Sequence, residues 1–405
     1  METFVLKRAY VPGRPERALD LLIHRGRIER IAETIDMPEV PTLDCGGRLL
    51  LPAFVDCHTH LDKAFLETPG EVEGLMDAVR LTMAYQKNVP PDEVRSDVLR
   101  RGGKVLEKEI AAGSGLVRSH VSVDDIWGME AFYASCELRE AFAPRIEVQL
   151  SVPYVPAYAD AFAEAARAGQ IDYIAGYPTV TPDPAAAVDA LFDLAQRFAL
   201  PLDLHVDESD AADISCFRRV LERTIETGMG GRVNCSHVTA LSAVPDAEAE
   251  AAAALCAKAR VSVIALPSCN MFLMGRQDRG LVRRGVTRVE MLQQAGVNVA
   301  IASDNIRDPF RPFGNGDMLE EAAFACQALS RGTAQGMADT LSMATRNAAL
   351  TAGKTNYGIR EGADAELTLL DATSVQDAIA GRCASLLTIK RGRVTRTEMR
   401  GPVAG

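Results

Sequence analysis

At 405 residues the chain is long enough to bury one large core and a smaller satellite domain, and its 47% hydrophobic and 24% charged residues match an ordinary globular protein. The formal net charge of −11, with no run of Lys or Arg, argues against nucleic acid as a partner, and no apolar run is long enough to span a membrane. Nine scattered cysteines with no C-x-x-C pair exclude a disulfide framework and predict reduced thiols in a cytoplasm; the start, METFVLKRAYVPGRPE, lacks the apolar core of a secretory signal.

Residues 1–48 read as short strands joined by tight turns: FVLKRAYV, LDLLIHRGRIERIA and PTLDCGGRLL. Residues 356–405 repeat that style in YGIREGADAELTLLDA and SLLTIKRGRVTRT, and Gly26 and Gly392 sit in matching turns, HRGRIERI and KRGRVTRT. Both ends are therefore expected to combine into one small β-sandwich-like domain. Residues 49–355 alternate apolar strands with amphipathic helical stretches such as DPAAAVDALFDLAQRFAL. The expected strands are 49–56, 114–123, 145–154, 171–178, 200–208, 232–241, 260–267 and 298–305. Eight such units over this length predict a (β/α)₈ TIM barrel. No G-x-G-x-x-G follows the first strand, which disfavours a dinucleotide-binding sheet.

A buried parallel strand should be almost wholly apolar, yet several of these end in ionisable groups. The first ends in Asp56-Cys57-His58-Thr59-His60, the second carries His120, the fifth ends in His205-Val206-Asp207-Glu208, the sixth carries His237 and the eighth ends in Asp304-Asn305. The C-terminal strand ends of a barrel form its active face, so these residues should converge. Residues two apart on a strand face one side, which lets His58 and His60 reach one ion. His205 and Asp304 complete a mostly nitrogen ligand set suited to Zn²⁺ or Fe²⁺, with room for a water acidified to serve as nucleophile. Glu208 is placed to shuttle protons, His237 to polarise or anchor a substrate, and Asp304 to take a proton while touching the metal.

Each residue also has a plainer reading. Glu208 suits a helix first turn, Asp304 a cap or turn, His237 a satisfied core position, and His120 either the core or a place behind the ligands, against substrate contact. Lys63 reads as a surface charge or one standing behind the ligands rather than as a ligand, Cys57 as packing and Phe310 as pocket wall. What distinguishes the set is its recurrence at successive strand ends.

The segments PAFVDCHTHLDKAF, DLHVDE, CSHVTA and ASDNIRDPF, with the closing GIREGADAELTLLD, together resemble the cytosine deaminase-like branch of the amidohydrolase superfamily over nearly the whole chain. The resemblance implies one divalent metal per chain, Zn²⁺ or Fe²⁺, held by His58, His60, His205 and Asp304, with Glu208 as proton shuttle and His237 beside the substrate. The strand IDYIAGYP lacks the Lys that binuclear relatives carboxylate, in keeping with a single metal. The pocket departs from the branch. Cytosine-acting members carry Asp where Asn305 stands. A Gln that reads the substrate ring aligns, without gaps, with Val155, and an Asp on the second strand is replaced by Ser122. Loss of a buried polar reader changes specificity strongly.

The expected function is hydrolytic cleavage of a C–N bond in a pyrimidine- or triazine-like heterocycle that is neither cytosine nor N-isopropylammelide. Val155, Asn305, Phe310 and His120 are its expected substrate contacts. The alternatives are opening of a cyclic amide, which a metal count near two would favour, and a non-catalytic binding barrel. The expected partner is a small heterocycle, and homo-oligomerisation stays open.

Overall fold

The computed structural model describes residues 2–14, 17–66 and 70–399. Strands β1 (Thr3–Ala9), β2 (Leu19–His24), β3 (Arg27–Ala32) and β4 (Thr42–Asp44) form one sheet in the order β3-β2-β1-β4. Strand β5 (Leu49–Pro52) leaves it and pairs, from the far side of the sequence, with the C-terminal strands. The barrel follows as β6 (Phe54–Thr59), β7 (Ser114–His120), β8 (Glu147–Pro153), β9 (Tyr173–Gly176), β10 (Leu202–Val206), β11 (Val233–His237), β12 (Ser262–Ala265) and β13 (Val299–Ile301). After it, β14 (Leu367–Leu370), β15 (Ser385–Lys390) and β16 (Arg393–Thr397) complete a second small sheet in the order β16-β15-β14-β5.

The two small sheets share an apolar core. Phe4, Leu6, Leu21 and Ile23 from the first meet Leu50, Leu367, Leu369, Leu387 and Ile389 from the second. Full burial of side chains of this size is worth ~1.5–3 kcal/mol each, which is what holds two distant ends of the chain together. Their hairpin tips also touch. Gly392 has φ +71°, and a Cβ there would lie 2.8 Å from the Cα of Gly26, so the matching R-G-R turns are a close backbone approach as well as tight bends. The sandwich-like pairing of the ends is thus present.

The barrel strands are parallel and pair in chain order. The circle closes where Asp304 N donates to His58 O at 2.8 Å and Thr59 Oγ1 donates to Asp304 O at 2.8 Å. Because β13 is short, a side-chain clip reinforces that seam: Asp56 accepts from Ser303 N at 3.1 Å and from the Ser303 hydroxyl. Helices cover the outside. Pro184–Phe198 shows how: Asp183 caps it by accepting from Ala186 N at 3.0 Å, Pro184 occupies its first turn, and Val188, Phe192 and Ala195 recur on its buried face. At the N-terminal mouth, Thr351 O accepts from Arg118 Nη1 at 2.8 Å, Tyr173 OH at 2.9 Å and Asn234 Nδ2 at 3.1 Å, plugging the barrel with a helix end.

Two details differ from the sequence reading. The expected first barrel strand, 49–56, is divided: Leu49–Pro52 belongs to the end sheet, paired with β14, and only from Phe54 does the chain enter the barrel. Pro52 has no N–H to continue a ladder, so the break falls there. The other barrel strands lie where expected but end sooner, because their polar tips turn out of the ladder to line the upper face. No helix among the described residues is long and apolar enough to cross a membrane.

Candidate active site

Five of the six histidines meet at the C-terminal end of the barrel. The ring centroid of His58 lies 4.1 Å from that of His120, 4.6 Å from His205, 5.4 Å from His60 and 5.6 Å from His237. All five side chains are buried, as is Asp304. Backbone strain accompanies them. Asp207, His237, Val238 and Asp304 have φ between +48° and +67°, a region that non-glycine residues, and β-branched Val above all, rarely occupy. These left-handed residues lie at or just beyond the ends of β10, β11 and β13, where the ladder stops.

The electrostatics favour metal ligation. Burial lowers the pKa of His58 and holds His60 and His205 well below the usual imidazole range, so all three are neutral donors. Burial would raise Asp304, but the adjacent His58 and His60 imidazoles keep it well below the usual carboxylate range. His58 Nε2 and His60 Nε2 lie 3.5 Å and 3.3 Å from Asp304 Oδ1. Donors on a tetrahedral ion with ~2.0–2.1 Å bonds sit roughly 3.4 Å apart, so this spacing fits an ion. Both nitrogens of His58, Nδ1 of His60 and of His205, and both oxygens of Asp304 are buried without hydrogen-bond partners among the described residues. Unpaired buried polar atoms are costly, and a cation would satisfy those facing it. The donors fall into two triples joined at His58: His58, His60 and Asp304, and His58, His120 and His205.

A cavity of about 290 Å³ opens over this cluster. His60, His205, Glu208, His237, Asp304 and Asn305 line its polar end; Leu75, Met76, Val79, Val180 and Phe310 line its apolar side. Burial pushes the Glu208 carboxyl up to about 7, partly opposed by His237. Asn270 Nδ2 donates to Glu208 Oε1 at 3.2 Å and lies 3.0 Å from His237 Nδ1. His237 Nδ1 also lies 3.2 Å from Glu208 Oε1, while its Nε2 has no hydrogen-bond partner among the described residues. Asn305 Nδ2 donates to Asp308 Oδ2 at 2.6 Å.

A family model described as "Amidohydrolase family" matches residues 148–396, well over half of the chain. The chain belongs to the amidohydrolase family. It is accordingly a hydrolase acting on C–N bonds, on a barrel of the kind this family uses. The amidohydrolase is 27% identical over 405 residues to N-isopropylammelide isopropyl amidohydrolase of Pseudomonas sp. strain ADP, covering 96% of both chains. It is 29% identical over 419 residues to a pterin deaminase of Rhizobium rhizogenes strain K84, covering 96% of this chain and 93% of that one. Its structure matches 5-methylcytosine deaminase from Klebsiella pneumoniae, solved with 5-fluorocytosine, at a TM-score of 0.89 and 26% identity over 99% of both chains.

Of the residues expected from sequence, His58, His60, His205, Glu208, His237, Asp304, Asn305 and Phe310 all stand at the metal cluster or cavity wall of this amidohydrolase. Two expected substrate contacts lie elsewhere. Val155 is outside the cavity lining: after Pro153 the chain enters a 3₁₀ turn, Pro156–Tyr158, and Val155 packs against the main core. His120 is fully buried beneath the cavity, its Nε2 3.1 Å from Asp203 Oδ2. Three cavity or support residues were not singled out from sequence as functional: Lys63, Tyr177 and Asn270. Burial alone would lower the Lys63 ammonium, but Tyr177, Asp62, Asp308 and Asp304 raise it, so the cation persists at the cavity wall, 5.5 Å from the Phe310 ring centroid. The Tyr177 ring centroid is 4.4 Å from that of His205.

Proposed function

We propose that this protein hydrolytically removes ammonia or a small amine from a nitrogen heterocycle, using one Zn²⁺ or Fe²⁺ held by His58, His60, His205 and Asp304. The observation that carries the reading is Glu208: a buried carboxyl with pKa about 7, on the wall of the same cavity as a cluster of neutral imidazoles and an ionised Asp304. When bound, the ion acidifies water toward neutral pH. Glu208 takes a proton at Oε1 or Oε2 and returns it to the leaving nitrogen, a task best done by a group titrating near the working pH. His237, on the cavity wall with its Nε2 free of other partners among the described residues, steadies negative charge that develops on the substrate. Asn270 fixes both groups. Donor type supports Zn²⁺ or Fe²⁺ over the harder cations, which prefer oxygen.

The cavity favours a particular kind of ring. Lys63 offers a fixed positive charge and Asn305 an amide, so one edge of the substrate carries an oxo group or an ionised ring nitrogen. The opposite wall, Leu75, Met76, Val79, Val180 and Phe310, takes an apolar ring face or an alkyl substituent. The relatives named for an ammelide, a pterin and a methylcytosine support oxo-bearing heterocycles as the class. Asn305, where cytosine-acting members carry Asp, lines the cavity and supports a substrate other than cytosine. Nine unpaired cysteines, eight of them buried, support a cytoplasmic setting.

The test is release of ammonia or amine from metal-loaded protein offered aminated pyrimidines, triazines, pterins, purines and imidazolones. Turnover on one ring type that disappears in Glu208→Gln supports the reading. Silence across the panel from protein carrying one metal per chain contradicts it and points to cyclic-amide opening.

A further inference from the structure

Buried tyrosine hydroxyls in this fold are bonded. Tyr173 OH, at the lower end of β9, donates to Thr351 O at 2.9 Å, and Tyr357 OH donates to Ala53 O at 2.6 Å. Tyr177, one residue beyond the upper end of the same strand, differs. It lines the cavity over the histidines, and its hydroxyl has no hydrogen-bond partner among the described residues. An enclosed phenol ordinarily finds a partner within the protein, so an open hydroxyl on a cavity wall is left for what enters the cavity. The ring itself is already engaged: its centroid lies 4.4 Å from that of His205, with the planes 39° apart.

The placement of Tyr177 is fixed by its neighbours. β9 ends at Gly176, and the chain turns through a 3₁₀ helix at Pro178–Val180. Thr179 Oγ1 accepts from Asp207 N at 2.8 Å and donates to Asp207 Oδ1 at 3.2 Å, and Asp207 Oδ2 accepts from Phe217 N at 2.9 Å. Asp207 stands between His205 and Glu208, so the turn that follows Tyr177 is bolted to the loop that carries both. A polar group held in this way loses little freedom when a ligand meets it. Lys63 lines the same cavity. Burial raises the Tyr177 phenol and Lys63 opposes that rise, so the hydroxyl keeps its proton at neutral pH within electrostatic reach of the ammonium. An ammonium only donates, and a phenol donates once, so an atom that satisfies both must be an acceptor with two lone pairs, as an oxo oxygen is.

We propose that Tyr177 is a specificity-determining substrate contact, its hydroxyl and the Lys63 ammonium together donating to an oxo group on the heterocycle. This rests on the C–N hydrolase reading above and names the group that the substrate must carry.

Tyr177→Phe tests it, because the variant keeps the ring against His205 and loses only the hydroxyl. The probe is the ring of the heterocycle panel that wild type turns over fastest, paired with its counterpart in which hydrogen replaces the oxo group: 4-amino-5-methylpyrimidine for 5-methylcytosine, 2-aminopteridine for pterin. Steady-state kinetics give kcat and KM for the oxo ring, competitive inhibition gives the affinity of the counterpart, and metal analysis gives zinc per chain. The expected result is KM for the oxo ring raised about 10-fold, with kcat, zinc content and affinity for the counterpart nearly unchanged. An unchanged KM, or an equal loss for both rings, overturns the proposal. Loss of zinc from the variant also overturns it, since Tyr177 would then act through His205. Should the variant not fold, wild type decides: the oxo ring bound about 10-fold or more tighter than its counterpart supports the proposal, and equal affinity overturns it. Silence of wild type across the whole panel defeats the proposed function and this contact with it, a result distinct from an active enzyme indifferent to Tyr177→Phe.

Discussion

In the proposed reaction, Glu208 concentrates the proton transfers into one side chain. Its carboxyl is held at about 7 by burial, so it is half ionised near neutrality and can both accept and donate a proton. Because the ionised form is the base, kcat/KM should rise with pH through about 7, and a pH–rate profile will show that limb. Glu208→Gln should remove it and lower kcat by about 10²–10⁴-fold with metal content unchanged, as read by turnover and metal analysis. Lys63 is the second test at this scale. Lys63→Met removes the cation facing the substrate edge, and a charge-assisted hydrogen bond is worth ~1.5–3 kcal/mol. Steady-state kinetics should show KM for oxo-bearing rings raised about 10–100-fold, with little change for metal affinity. The histidines, Glu208 and Asp304 were legible in the sequence because ionisable residues at the ends of apolar strands have no other inexpensive place to be. Lys63 was not, since only the turn after His60 brings it back over the cavity. Asn270 follows the seventh barrel strand with nothing in its neighbourhood to mark it. Val155 stands outside the cavity because the chain turns into a 3₁₀ helix at Pro156–Tyr158 instead of running on along the strand.

Strands carry the same lesson at their ends. Their centres were legible from runs of apolar residues, but their limits were not, because a strand stops where its hydrogen-bond ladder stops and hydrophobicity does not report that. Pro52 marks one such stop within a continuous apolar run. At the barrel seam the ladder is shortest, and Asp56 supplements it by accepting from Ser303 N and Oγ. Asp56→Ala leaves Ser303 N buried without this partner, an omission that costs ~1–3 kcal/mol. Urea unfolding should show a loss of that order. A neutral result would mean that the seam is held by the Thr59–Asp304 contacts alone.

The whole molecule places a catalytic face at one end of the barrel and a domain built from both chain termini beside it. The barrel was legible from eight alternating units, and the joining of the ends from the matching R-G-R turns. The polar plug at the N-terminal mouth was not, because Thr351 acts through its carbonyl and carries no sequence signature. Glu366, at the junction of the end sheet with the barrel, tests how the parts are coupled. Burial raises its pKa to about 7, partly opposed by Lys390. A folded pKa above the unfolded value of roughly 4.3 means that ionisation disfavours the folded state. This group costs the folded state nothing below roughly 4.3, costs progressively more as pH rises toward about 7, and above that leaves a penalty that no longer changes with pH. Glu366→Gln should therefore raise the melting temperature relative to wild type at pH 8 and leave it nearly unchanged at pH 4.

The most direct measurement of the central claim is turnover against bound metal, beginning from protein stripped by a chelator and assayed on the best substrate of the heterocycle panel. The account predicts no ammonia or amine release from the stripped protein, recovery in proportion to Zn²⁺ or Fe²⁺ up to one ion per chain, and no recovery in Asp304→Asn at the same metal concentrations. Undiminished C–N cleavage by the stripped protein, or full activity in Asp304→Asn, would contradict it.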